Sequence, residues 1–106
     1  MRSGLRAQDQ RSAVRIPVKC QARIRTLELG LSYYGDCIDL SVTGMTIRSI
    51  FVPRPNEELE VCVMPPRQGG GLAAPLTARV RVVRCHEVEA GSGLYELGLE
   101  ISEIVR

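Results

Sequence analysis

The sequence predicts an all-β domain, a small six-stranded antiparallel barrel. Three observations lead there. Apolar and polar residues alternate through 18–25, 45–50, 59–64, 76–82 and 95–101, and a period of two sends one set of side chains inward and the other outward. Gly and Pro punctuate the chain between these stretches, where strands reverse. No segment carries the 3.6-residue apolar period of a useful helix. Short strands of this kind build a small barrel or a sandwich. Closure into a barrel is preferred, because so small an open sheet exposes two unpaired edges.

The elements follow in order. Residues 1–15 lack apolar periodicity and read as a flexible polar arm, with the barrel domain spanning 16–106. Pro17 forbids helix just before Val18, Cys20, Ala22 and Ile24 alternate with Lys19, Gln21, Arg23 and Arg25. "LELGLSYYGD" holds Gly30 and Gly35 around the first reversal. "CIDLS" is the next strand piece, "VTG" a turn and "MTIRSI" its continuation. Pro53 and Pro55 make "VPRPNEE" a loop, since neither can donate to a central ladder. "LEVCVM" alternates again, and the three consecutive glycines of "RQGGGLAAP" mark a flexible connection. In "LTARVRVVRCHEV" Leu76, Ala78, Val80 and Val82 face inward, with Arg79 and Arg81 outward. "EAGSG" turns the chain, and Tyr95, Leu97, Leu99 and Ile101 share one face of the last strand. The closing "SEIVR" has room for one helical turn at most.

Composition narrows the function. A chain of 106 residues with 44% hydrophobic and 25% charged residues is one ordinary globular domain. It holds no apolar run of membrane-spanning length, and its start has no apolar core of a secretory signal, so a cytoplasmic location is expected. Cys20, Cys37, Cys62 and Cys85 are widely spaced, and the single His86 adjoins Cys85. Zinc ligands come in close pairs, which this spacing lacks, so the four cysteines are expected to be small buried hydrophobes. No nucleophile is paired with a base, so neither catalysis nor a cofactor is expected.

The net charge of +2 conceals an asymmetry. The first 25 residues carry seven basic side chains against Asp9, a net +6, and the remainder is net −4. A basic arm on an acidic body points to an anionic partner met by the N-terminus. Thirteen of the 14 basic residues are Arg, the side chain suited to planar, bidentate contacts.

Two motifs fit that partner. "RSAVR" sets Arg11 and Arg15 at i and i+4, on one side of an extended chain about 13 Å apart. "DLSVTG" sets Asp39 and Ser41 two apart, on one strand face, before Gly44. Gly44 permits a positive φ or a close backbone approach. An RxxxR match arises about once or twice by chance in a chain so rich in Arg, whereas DxSxxG is expected only about 0.02 times. Asp, Ser and Gly are also common turn formers, and that reading stands beside the binding one.

RxxxR before the first strand, then DxSxxG some two dozen residues later, resembles the signature pair of the PilZ domain family. The resemblance runs from "QRSAVRIPV" to "ELGLEIS". It implies a six-stranded barrel that binds the bacterial second messenger cyclic di-GMP. Arg11 and Arg15 would wrap over the ligand, Asp39 and Ser41 would hold guanine on the barrel wall, and Gly44 would let the turn sit close. Arg84 falls where family members often place a residue that stacks on a base, and an ordinary exposed strand-end Arg fits there equally well. The chemistry agrees: guanidinium meets phosphate or guanine O6 and N7 by paired bonds, and a carboxylate accepts from guanine N1 and N2. The implied mechanism is an arm that orders on binding and signals to a protein partner in trans. Two departures stand out. Many relatives continue into a C-terminal helix, and many extend a basic run where this chain has Gln10. The rival readings are a small-barrel nucleic-acid binder and a PilZ-like adaptor that binds no nucleotide. Against the first, Tyr33, Tyr34, Phe51 and Tyr95 are the only aromatics available for stacking, and the body is acidic.

Overall fold

The computed structural model describes residues 14–65 and 74–105. Six strands form: β1 (Ile16–Thr26), β2 (Ser32–Leu40), β3 (Gly44–Ser49), β4 (Glu58–Met64), β5 (Leu76–Glu87) and β6 (Tyr95–Val105). They close into an antiparallel barrel in the order β1-β2-β3-β6-β5-β4. Closure gives every strand two neighbours, so no edge is left to pair with another chain. No helix is present among the described residues.

The alternating residues fill the barrel. Ala22, Ile24, Cys37, Met45, Ile47, Leu59, Val61, Val63, Ala78, Val80, Val82, Leu97 and Leu99 form one buried cluster. All are aliphatic or sulfur-bearing, which a six-strand lumen accommodates without a large ring. Each fully buried Leu, Ile or Val stabilises the fold by about 1.5–3 kcal/mol. Tyr33 and Phe51 pack against this cluster, their rings stacked with centroids 4.4 Å apart.

Three local expectations differ from the fold. Gly35 does not turn the chain; it lies inside β2, opposite Ala22 on β1 and Ser49 on β3. A Cβ there would collide with the Arg48 carbonyl oxygen, so glycine serves close strand approach. The reversal is made upstream, where Thr26 accepts from Gly30 N at 3.0 Å and Gly30 adopts φ 68°.

The terminal helical turn does not form either. β6 continues to Val105 because the start of β5 needs a partner: Thr77, Ala78 and Arg79 pair with Val105, Ile104 and Glu103. The cysteines, expected to be buried, are split. Cys37 is fully buried, Cys20 and Cys62 are half-buried, and Cys85 is exposed. Cys85 lies beyond Arg81, where β4 stops pairing with β5.

The arm expected at 1–15 is described only at Val14 and Arg15; Arg11 lies outside the described residues. So does most of the glycine-rich connection at 67–75.

Candidate ligand-binding site on the barrel wall

Arg15 is the last residue before β1, whose antiparallel pairing with β2 sets Pro17 opposite Asp39. The two motifs, 24 residues apart in sequence, therefore meet on one wall. Arg15 Nη1 donates to Asp39 Oδ1 at 2.7 Å and to Thr46 Oγ1 at 3.3 Å. The side chains of this ion pair are 43% and 28% exposed. Solvent and salt reach such a pair, which limits its strength to about 0–1 kcal/mol.

Register extends the site across four strands. Asp39 on β2 pairs with Thr46 on β3, Thr46 with Gly98 on β6, and Gly98 with Arg84 on β5. The flanking residues Met45, Ile47, Leu97 and Leu99 belong to the core cluster, so Asp39, Thr46, Gly98 and Arg84 form a row facing outward. Thr46 is nevertheless only 3% exposed, beneath the reach of Arg15. A Cβ on Gly98 would lie 2.8–3.0 Å from the carbon and both terminal nitrogens of the Arg84 guanidinium. The missing side chain thus gives Arg84 a flat seat against β6. Nearby, Arg48 pairs with Glu96 and Arg81 with Glu100, whereas Arg84 has no ion-pair partner among the described residues.

The DxSxxG residues divide their roles. Asp39 is held by Arg15. The Ser41 hydroxyl accepts from Thr43 N at 3.2 Å and Gly44 N at 3.1 Å, while Ser41 N donates to the Gly44 carbonyl at 2.8 Å. Ser41 therefore builds the turn that links β2 to β3. Gly44 does not have positive φ. It meets the close-approach alternative: a Cβ would lie 2.5 Å from the Leu99 carbonyl oxygen and 3.6 Å from Arg15 Nη2. Val14, Ile16, Val18, Leu40 and Val42 line a shallow apolar groove beside Arg15.

Bulges aim the row. Register shifts lie between Cys37 and Asp39 on β2 and between Val82 and Arg84 on β5. Such an extra residue re-aims the side chains that follow it. The Cys37 thiol donates to the Asp39 carbonyl at 3.3 Å within the first. Burial pushes this thiol from 9.0 up to about 11, with smaller contributions from the neighbouring charges of Cys20 and Asp39.

Sequence reading placed Arg15, Asp39, Ser41, Gly44 and Arg84 within this region but passed over Thr46 and Gly98. Gly98 carried a usable signal, a lone glycine inside an otherwise alternating strand. Thr46 carried none until the β2–β3 register was known.

The profile of the PilZ domain family matches residues 9–106, and the chain belongs to that family. PilZ domains are receptor and adaptor domains related to cyclic di-GMP signalling. Among solved structures, the chain is similar to the Bacillus subtilis inhibitor of motility MotI/DgrA, with a TM-score of 0.70 at 18% identity. The match covers 88% of this chain and 43% of that one, so this chain spans under half the length of its structural relative. No curated protein matches in sequence. Among the described residues no helix is long and apolar enough to cross a membrane.

Proposed function

We propose that this chain is a cyclic di-GMP receptor that acts without catalysis, as an adaptor in the bacterial cytoplasm. Its N-terminal arm changes conformation on binding and signals to a protein partner in trans. The observation that carries this reading is the meeting of Arg15 with Asp39, one residue from each motif, on an outward wall shared with Arg84.

Arg15 occupies the carboxylate that guanine N1 and N2 would otherwise contact. Exchange is energetically open. Releasing the half-exposed Arg15–Asp39 pair costs about 0–1 kcal/mol. A charge-assisted bond from the same guanidinium to phosphate returns about 1.5–3 kcal/mol. Arg15 would thus swing to phosphate together with Arg11, free Asp39 for the base edge, and leave Arg84 to lie against the base plane. Ser41 and Gly44 contribute by shaping the turn that supports Asp39. Because Val14 and Ile16 line the groove beside Arg15, moving Arg15 reshapes that surface, and this is the change a partner reads.

The test is calorimetric titration of cyclic di-GMP into the chain and into Arg15→Ala. The expected result is binding that weakens about two- to hundredfold in the variant, equivalent to about 0.5–3 kcal/mol, the lost phosphate bond less the pair that no longer has to be released. No heat from the unaltered chain at high ligand concentration would leave a PilZ adaptor without nucleotide, its Arg15–Asp39 pair a fixed part of the wall.

A further inference from the structure

The cysteines have no part in the proposed ligand chemistry, yet two of them face each other. Cys20 on β1 and Cys37 on β2 are direct register partners. Directly opposed residues of an antiparallel pair have Cα atoms about 4.5–5.5 Å apart, within the range of about 4.4–6.8 Å that a disulfide spans. Both side chains turn to the same face. Cys37 belongs to the core cluster and Cys20 packs against it from a half-buried position. Both flank irregular backbone: one register shift lies between Pro17 and Cys20, the other between Cys37 and Asp39. Backbone interrupted in this way gives locally, which helps two cross-strand thiols reach bonding geometry.

We infer that Cys20 and Cys37 form an oxidisable dithiol, closed to a cross-strand disulfide by low-molecular-weight disulfides. The half-buried Cys20 is the point of entry. Its thiolate attacks one sulfur of the small disulfide, forming a mixed disulfide and expelling one small thiolate, which takes up the proton Cys20 gave up. The Cys37 thiolate then attacks the Cys20 sulfur, forming the Cys20–Cys37 bond and expelling the second small thiolate, which is protonated in turn. Two protein thiols give up two protons and two electrons, and the small disulfide becomes two thiols. The raised pKa of Cys37 leaves little of it as thiolate near neutral pH, so the second step speeds up as pH rises.

The bond would lie behind the site. Cys37 is two residues from Asp39 and donates to its carbonyl at 3.3 Å, a contact that oxidation removes. Cys20 follows Arg15 by five residues on the same run of chain. The crosslink therefore ties the strand led by Arg15 to the strand bearing Asp39.

The test uses the full chain with Cys85→Ser, which removes the exposed thiol and leaves three. The chain is incubated with oxidised glutathione, denatured, alkylated with N-ethylmaleimide and weighed intact. The expected product has one alkylated thiol, no glutathione and a Cys20–Cys37 linkage in the peptide map, and dithiothreitol restores three alkylated thiols. Adding Cys20→Ser is expected to leave Cys37 fully alkylatable after the same treatment. Three alkylated thiols after oxidation of the Cys85→Ser chain, or a linkage through Cys62, would overturn the inference. The thiol count does not depend on nucleotide, so a chain that fails to bind cyclic di-GMP still decides it.

Discussion

The two walls of the barrel are built differently. The ladders joining β4 to β1 and to β5 run without a register shift; on the site wall only the β3–β6 ladder, which carries the Thr46–Gly98 step of the row, does the same. The irregularities fall in the β1–β2, β2–β3 and β5–β6 ladders. Three of the four shifts lie within a few residues of Arg15, Asp39 or Arg84; the fourth, between Arg79 and Val80, does not. Unbroken alternation delivers Leu59, Val61 and Val63 to the core on every second residue. Interrupted alternation gives up some regularity and sets residues distant in sequence on one outward row. One wall holds the barrel closed, while the other presents a surface.

The largest expected effect tests the first half of that contrast. Leu59 is fully buried on β4, opposite Thr26 and Val80. Leu59→Ala removes buried methyls and leaves a cavity, a loss of about 2–5 kcal/mol. Against a total stability of about 5–15 kcal/mol, that is a large share. Urea denaturation followed by circular dichroism is expected to show a strongly lowered midpoint. Arg15→Ala, on the other wall, is expected to shift stability by no more than about 1 kcal/mol. Equal losses in the two variants would erase the division between walls.

A second pair of substitutions sharpens the division within the site wall. A Cβ at Gly44 or at Gly98 would meet a close neighbour, of a different kind at each. At Gly44 the obstacle is backbone, the Leu99 carbonyl at 2.5 Å, so Gly44→Ala must part β3 from β6. The expected cost is about 1–3 kcal/mol. At Gly98 the obstacle is the far end of a flexible side chain, the Arg84 guanidinium. Gly98→Ala is expected to lift Arg84 from its seat at little cost in stability, less than about 1 kcal/mol. It should weaken cyclic di-GMP binding while leaving the denaturation midpoint nearly in place. Opposite behaviour of the two glycines would mean that Arg84 is not seated for a ligand.

What sequence made legible follows the same line. Alternation has a period that survives without neighbours, so the inward residues of 18–24, 76–82 and 95–101 were readable directly. Gly35 misled because glycine serves both turns and close strand approach, and only the nearness of the Arg48 carbonyl decides between them. Residues 103–105 misled because their strand depends on Thr77 to Arg79, partners more than twenty residues upstream. In the site, Asp39 and Arg15 stood out by motif spacing. Thr46 and Gly98 belong to the row only through register, a property of pairs of strands. Taken alone Ser41 read more as a turn former, and as a guanine contact only through the family resemblance; its hydrogen bonds to Thr43 N and Gly44 N display the turn role.

The last expected effect concerns Cys37, which lies where core and site meet. Burial raises its folded-state pKa to about 11, above the ordinary 9.0 of the unfolded chain. Below pH 9 the thiol is protonated in both states, and the neutral form favoured by the core contributes in full. Between pH 9 and 11 the unfolded chain loses the proton while the folded one keeps it, so stability falls as pH rises. Under reducing conditions the urea midpoint is therefore expected to decline from pH 8 to pH 10 more steeply in the unaltered chain than in Cys37→Ala. Cys85 is shifted in the same direction, but both chains retain it, so it cancels in the comparison. Parallel pH profiles would show that water reaches Cys37. In that case the bulge beside Asp39 opens into the core, and the two walls are less separate than their ladders imply.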